Sequence, residues 1–169
     1  MSLTSPSDLL SFFNWVDAKA LSQTITGAYI CGPYLTNGPR NWFLVFIGSK
    51  IAWHLQLAAD SGELKPIVFP APLEGFEANF ASGEHYLARM GKFEMNQGAT
   101  LHEILHLVYI HHRRFCLSST HRGTRDFCLK ILATLKSAFF FKDMDVDQVR
   151  SGLVGAFGEI HPIFPLLVL

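Results

Sequence analysis

Residues 100–112, TLHEILHLVYIHH, contain the pattern His-Glu-x-x-His, which is typical of zinc-dependent hydrolases. His102 and His106 are one helical turn apart, so both imidazoles could bind one Zn²⁺ while Glu103 activates a metal-bound water. A longer form of the motif adds a third histidine, and His112 follows at that distance. The segment could therefore carry hydrolytic metal chemistry, provided that its geometry suits a metal.

Two features of the same segment favour a structural role. Thr100 and Glu103 have the spacing of a capping box, in which the glutamate binds the backbone at the start of its own helix. Tyr109 occupies the place of the glycine that would turn the chain back towards the metal, so the helix should continue and direct His112 elsewhere. We predict a scaffold helix without metal, its histidines facing water and its buried stripe formed by Leu101, Ile104, Leu105 and Val108. A zinc hydrolase using His102, Glu103 and His106 stays open as an alternative.

A second group of residues lies at the predicted start of another helix. Gly123 and Thr124 open an amphipathic segment and are flanked by Arg122 and Arg125. Backbone amides, the helix dipole and two guanidinium groups suit an anion or a polarised carbonyl. The alternative is a threonine N-cap with solvated arginines.

Two stretches, RNWFLVFIG at 40–48 and GTRDFCLKIL at 123–132, carry a family resemblance. The chain resembles small fungal proteins that have an Asn-His-Trp strand start and a Gly-Cys-Arg-x-Trp helix start, over residues 24–140. This family is remotely similar to permuted papain-like hydrolases and acyltransferases. Here Asn41 precedes Trp42 where the family has histidine, and Thr124 replaces its cysteine. The resemblance implies a pocket without its nucleophile, and a setting in fungal secondary metabolism with a small apolar substrate.

Composition limits the class of protein. The 169 residues are 49% hydrophobic and 17% charged, with zero formal net charge, so we predict one folded domain over 1–169. This balance gives no reason to expect nucleic acid or an anionic membrane as partner. Three cysteines without a C-x-x-C spacing, no signal peptide and no membrane-length apolar run predict a reduced, cytoplasmic protein.

The elements follow from turn signals and periodicity. Ser5 and Pro6 predict the start of a first helix. Runs rich in β-branched and aromatic residues predict strands at 24–35, 41–49, 50–58 and 64–69. Helical periodicity recurs at 100–114 and at 124–140, and Asp143 is the predicted N-cap of a last helix. We predict an α+β fold, in which an antiparallel meander of four to six strands, able to curl like a barrel, packs with three to four helices. In the helix at 124–140 the predicted buried stripe consists of Phe127, Cys128, Ile131, Leu132, Leu135 and Phe139.

The strand at 50–58 is informative because its side chains alternate. Trp53, Leu55 and their alternate neighbours should face the core, whereas His54 and Gln56 point to the other side. There the two polar residues could face solvent or line a cavity.

Aromatic residues are abundant, with 15 Phe, 4 Tyr and 3 Trp. They fit a core, a dimer face or a pocket for an apolar ligand. With the resemblance and the missing nucleophile, they lead us to predict a cofactor-free cyclase or isomerase, including the Diels–Alder and hetero-Diels–Alder type, that orients its substrate and activates it by hydrogen bonds. The predicted binding residues are Tyr29, Tyr34, Asn41, Trp42, Trp53 and Thr124, and the predicted donors are His54, Arg40, Arg122 and Arg125. A non-catalytic apolar-ligand carrier or a homodimeric interaction module is the remaining alternative.

Overall fold

A computed structural model of the protein describes residues 2–33, 41–76, 87–89, 92–116 and 123–166. Its architecture is α+β, with an antiparallel sheet curled into a half-barrel and helices packed against it, which confirms the predicted fold class. In the part of the chain that the structure describes, no helix is long and apolar enough to cross a membrane.

Antiparallel pairing connects all the strands of the sheet. The strands are β1 (Gly27–Pro33), β2 (Phe43–Ile47), β3 (Ile51–Asp60), β4 (Glu63–Pro72), β5 (Leu87–Arg89), β6 (Phe93–Glu94) and β7 (Phe115–Cys116). Their order is β5-β1-β2-β3-β4-β7, and β6 also pairs with β1. The predicted meander corresponds to β1 through β4. Ser61 and Gly62 join β3 to β4 with φ of 51° and 83°, as a two-residue hairpin turn of the type I′ class requires.

The helices are α1 (Pro6–Phe12), α2 (Ala18–Leu21), α3 (Leu101–His111), α4 (Thr124–Ser137) and α5 (Val146–Phe157), and residues 73–76 are also helical. Ser5 caps α1 by accepting a 3.2 Å hydrogen bond from the Asp8 amide, as predicted. For α5 the predicted cap was wrong by two residues. Asp145, and not Asp143, accepts from the Asp147 and Gln148 amides. Helix α4 ends at Ser137 and not at residue 140.

One face of the sheet, which we call the inner face, packs against the helices. It presents Leu44 and Phe46 of β2 with Trp53 and Leu55 of β3, all at most 2% exposed. The predicted stripe of α3 is buried against this core, and so is the predicted stripe of α4 up to Leu135. Phe139 is the exception, because α4 ends before it and leaves its side chain 83% exposed.

Trp42 lies in this core where β1 and β2 come close together. A Cβ atom added to Gly32 would lie 2.2 Å from Cδ2 of Trp42, far inside van der Waals contact. Glycine at position 32 thus allows the indole to lie directly on the backbone of β1.

The C-terminal segment is held by a buried carboxylate. Asp126 of α4 is 4% exposed and accepts a 2.9 Å hydrogen bond from the Ile163 amide. Lys130 lies 2.9 Å and Arg150 3.6 Å from the same carboxylate. The charge of Asp126 is therefore compensated, as burial of an ion requires.

Candidate functional site

The opposite face of the sheet, which we call the outer face, places a histidine between two aromatic rings. His54 of β3 stacks on Phe43 of β2 with ring centroids 5.4 Å apart and on Phe69 of β4 at 5.0 Å. Phe76 meets the same imidazole edge-on at 5.8 Å. Three apolar rings thus fix the orientation of the His54 ring.

One nitrogen of this imidazole lacks the partner that a buried polar atom normally has. Nε2 of His54 is buried and makes no hydrogen bond in the described structure. Loss of solvation on burial lowers the pKa of His54 from 6.5 to about 4, so the ring is neutral at neutral pH. A neutral imidazole nitrogen can donate or accept one hydrogen bond, depending on its tautomer. Unsatisfied buried groups are uncommon in folded proteins and call for an explanation.

Around His54 the outer face is apolar and only partly covered. Cys31, Val45, Ile47, Ala52 and Phe76 form a small buried cluster, against which Tyr29, Phe43 and Leu73 pack. Tyr29 joins the aromatic group through Phe76, at a ring distance of 5.8 Å. Tyr29, Phe43 and Phe69 are half-buried, as are Gln56 and Ile67 further along the same face. We call Tyr29, Phe43, His54, Phe69 and Phe76 the aromatic face.

The aromatic residues predicted to bind a ligand lie on both faces of the sheet. Tyr29 belongs to the aromatic face, but Trp42 and Trp53 lie in the core on the inner side, 1% and 2% exposed. Trp53 donates from Nε1 to Oε1 of Gln23 at 3.1 Å, and the Trp42 ring meets Phe157 edge-on at 4.9 Å. The two tryptophans cannot line a site with His54, because neighbouring residues of a strand point to opposite faces.

The two stretches that carry the family resemblance meet in space. The Trp42 amide donates to Oγ1 of Thr124 at 2.9 Å, and the Arg125 guanidinium lies 5.9 Å from the Trp42 ring. This joins the start of β2 to the start of α4. Asn41 is exposed beside this junction, whereas Thr124 is buried, 6% exposed.

Neither Arg125 nor Cys128, the cysteine of α4, is arranged for chemistry at this junction. Arg125 donates to the carbonyls of Gly158 at 3.0 Å and Glu159 at 2.6 Å, and so binds the end of α5. Cys128 is fully buried, and burial raises the pKa of its thiol well above the usual value. A thiol that stays protonated is a poor nucleophile.

The His-Glu-x-x-His helix has a structural arrangement. Oε2 of Glu103 accepts from the Thr100 amide at 2.9 Å, which confirms the capping box. Nε2 of His102 lies 2.9 Å from the Thr4 carbonyl oxygen, and Nδ1 of His106 accepts from the Thr4 amide at 2.8 Å. The expectation that the histidines of this segment face water was wrong for His106 and His112, which are 8% and 9% exposed. Within the described ranges, no three His, Cys, Asp or Glu residues are grouped as metal ligands.

His112 does point away from that pair, as predicted. Its Nε2 lies 2.7 Å from Oγ1 of Thr134 on α4. Burial, with smaller effects of His111 and Lys130, lowers the pKa of His112 to about 4. Both imidazoles are therefore neutral at neutral pH, but Nε2 of His112 has a hydrogen-bond partner in the described structure and Nε2 of His54 does not.

Three predicted site residues, Tyr34, Arg40 and Arg122, lie outside the described residues. Sequence reasoning missed Phe43, Phe69 and Phe76. For the first two a signal existed, because they share the outward phase of His54 on the neighbouring strands: Phe69 lies directly opposite His54 in the register of β3 and β4.

Comparison with known proteins adds no relative to this description. No protein-family model, no curated protein and no solved structure matches the chain.

Proposed function

We propose that this protein binds a small, largely apolar molecule against the aromatic face and offers it one hydrogen bond from Nε2 of His54. The observation that carries the proposal is the buried Nε2 between Phe43 and Phe69, which has no hydrogen-bond partner in the part of the chain that the structure describes. A ligand with one carbonyl or hydroxyl group would satisfy that nitrogen, and its apolar body would cover the half-buried rings.

The neutral state of His54 limits the chemistry. With a pKa of about 4, the imidazole carries almost no charge at neutral pH and acts by hydrogen bonding. If Nε2 bears the proton, it can donate to a ligand carbonyl and stabilise charge that develops on the oxygen. The stacked rings hold this donor in one orientation before the ligand binds. Because Nε2 is buried, a side chain beside it must shift to let the ligand oxygen reach it.

The catalytic form of the proposal is a cofactor-free cyclase or isomerase. An apolar surface with one oriented donor can hold a diene and an enone close together, as a Diels–Alder or hetero-Diels–Alder reaction needs. Holding the substrate in reactive geometry supplies the rate gain, and no nucleophile is required. The setting in fungal secondary metabolism depends on the family resemblance alone. A carrier without turnover would use the same surface.

Binding can be tested with prodan, a fluorescent naphthalene that carries one ketone and whose emission responds to hydrogen bonding. We expect saturable binding, with affinity about tenfold lower in His54→Phe, since this variant keeps an aromatic ring but loses the donor. Gln56→Leu is the matched control, because it removes a polar group from the same face and should leave the affinity unchanged or higher. Equal affinity in wild type and His54→Phe would refute the proposed role of Nε2.

A turnover assay distinguishes a cyclase from a carrier that only binds the ligand. A substrate with a tethered diene and enone is incubated with wild-type protein, with His54→Phe and without protein. A cyclase gives faster product formation and a changed stereoisomer ratio with wild type, and a smaller acceleration with the variant. Identical rates and isomer ratios in all three samples, together with prodan binding, would identify a carrier.

A further inference from the structure

Phe139 occupies a backbone position that a bulky residue rarely adopts. It follows α4 with a left-handed φ of 64°. Its amide donates to the Lys136 carbonyl at 2.9 Å and the Phe140 amide donates to the Leu135 carbonyl at 3.0 Å, which is the Schellman ending of a helix. Glycine is the usual residue at this position, since a side chain there is strained. Helix termination therefore gives no reason for phenylalanine.

Core packing gives no reason either, because the ring of Phe139 is 83% exposed. The backbone beneath it is nevertheless firmly held. The Asn96 amide donates to the Phe140 carbonyl at 2.7 Å, and Nδ2 of Asn96 binds the carbonyls of Phe139 and Phe141. A rigid, strained turn thus presents a large apolar ring to the surroundings.

Two hollows lie near this turn, and Phe139 itself lines the smaller one. The smaller, of about 190 Å³, lies between residues 96–99, Glu103 and residues 138–140. The larger, of about 580 Å³, lies between α3 and α4 and is lined by Leu107, His111, Ala133, Ser137 and other residues. Ala138 borders both hollows, so the projecting ring and the depressions belong to one patch. The larger hollow has the volume of a small-molecule site, ample for one aromatic ring.

We infer that this patch is a self-association surface, on which Phe139 of one copy enters the hollow between α3 and α4 of a second copy. A two-fold dimer needs a patch that complements itself, and a projection next to a hollow on the same surface provides that. Each copy then contributes one ring and receives one. Residues 137–139 at the centre are uncharged and the chain has zero formal net charge, so two copies meet without strong repulsion.

The surface is separate from the aromatic face, because it uses α3, α4 and the turn after α4. Its test needs no ligand and does not depend on the proposed function. Sedimentation velocity of the full chain, over a wide range of concentrations, should show a reversible monomer–dimer equilibrium. Phe139→Gly should weaken dimerisation about tenfold or more while raising the thermal unfolding midpoint, since it removes both the ring and the strain.

Control variants make the test specific. Phe164 is also exposed, at 65%, but lines neither hollow, so Phe164→Gly should leave dimerisation unchanged. Ala133→Trp fills the larger hollow and should give monomers. Mixing Ala133→Trp with Phe139→Gly should restore a heterodimer, because one ring and one open hollow remain. Phe139→Asn, which tolerates the left-handed backbone, replaces Phe139→Gly if that variant is poorly folded.

Three results would overturn the inference. The first is a wild-type chain that stays monomeric at every concentration. The second is a dimer that Phe139→Gly and Phe139→Asn leave intact. The third is a mixture of Ala133→Trp and Phe139→Gly that associates no more strongly than either variant alone, since the mixed pair keeps one ring and one open hollow.

Discussion

The two faces of the sheet differ in the hydrogen bonding of their buried polar side-chain atoms. On the inner face, Nε1 of Trp53 has Gln23 as a partner. On the outer face, the next residue along β3 is His54, whose buried Nε2 has no partner among the described residues and lies beneath rings that are only half-buried. The inner face is explained by folding alone, whereas the outer face holds a buried polar atom that folding does not use. This difference is the reason why we propose the outer face as the ligand-binding face.

Truncating an aromatic ring should affect the two faces unequally. Phe46 is fully buried on the inner face, so Phe46→Ala should lower the free energy of unfolding by about 3–5 kcal/mol. Phe69 is half-buried on the outer face, and Phe69→Ala should cost about half as much, because solvent can reach the space that it leaves. Urea denaturation of both variants measures this. Equal losses would mean that the outer face is packed as tightly as the core.

Acid should lower the stability of the folded protein through His54 and His112, which are neutral in the folded state. His54 and His112 have a pKa of about 4 in the folded protein against about 6.5 when unfolded. The unfolded chain therefore binds protons first as pH falls, and stability present above pH 6.5 is lost towards pH 4. The loss is at most about 3 kcal/mol for each histidine.

Denaturation across this pH range in His54→Phe should show about half of the loss attributed to the two residues. An unchanged pH profile in that variant would show that the His54 imidazole is solvated in the folded protein. His112, bound to Thr134, provides the remaining pH dependence.

The smallest effects are expected for substitutions at two neighbouring residues of β3, Trp53 and His54, whose changes in the free energy of unfolding should have opposite signs. Trp53→Phe should cost about 2 kcal/mol, because it leaves a cavity and an unpaired Gln23 oxygen. His54→Phe should stabilise the protein by about 1 kcal/mol at neutral pH, because it replaces an unsatisfied nitrogen with carbon. Thermal unfolding at pH 7 compares the two. Destabilisation by His54→Phe would indicate a structural partner for Nε2 and would weaken the case for a ligand.

Much of the fold could be predicted from local patterns. Turn residues and alternation predicted β1 to β4, and the spacing of Thr100 and Glu103 predicted the capping box that was found. These features depend on neighbours in the sequence, so one sequence is sufficient. The same alternation also separates Trp53 from His54, so their assignment to one site conflicted with the strand geometry already inferred.

Other features depend on contacts between distant segments. The burial of His106 follows from the position of Thr4, and the end of α4 before Phe139 coincides with hydrogen bonds from Asn96. No periodicity within either helix carries that information. The contact between Trp42 and Thr124 likewise joins residues that are far apart in the chain, so no local pattern indicates it.

The contact between Gly32 and Trp42 has a consequence for how this sequence can diverge. The indole at position 42 occupies the space that any side chain at position 32 would need. A lineage can therefore enlarge residue 32 only after residue 42 has become smaller, and a tryptophan at 42 should always be accompanied by glycine at 32. The two positions should covary as a pair, and a search for distant relatives could use that pair where the rest of the sequence has changed beyond recognition.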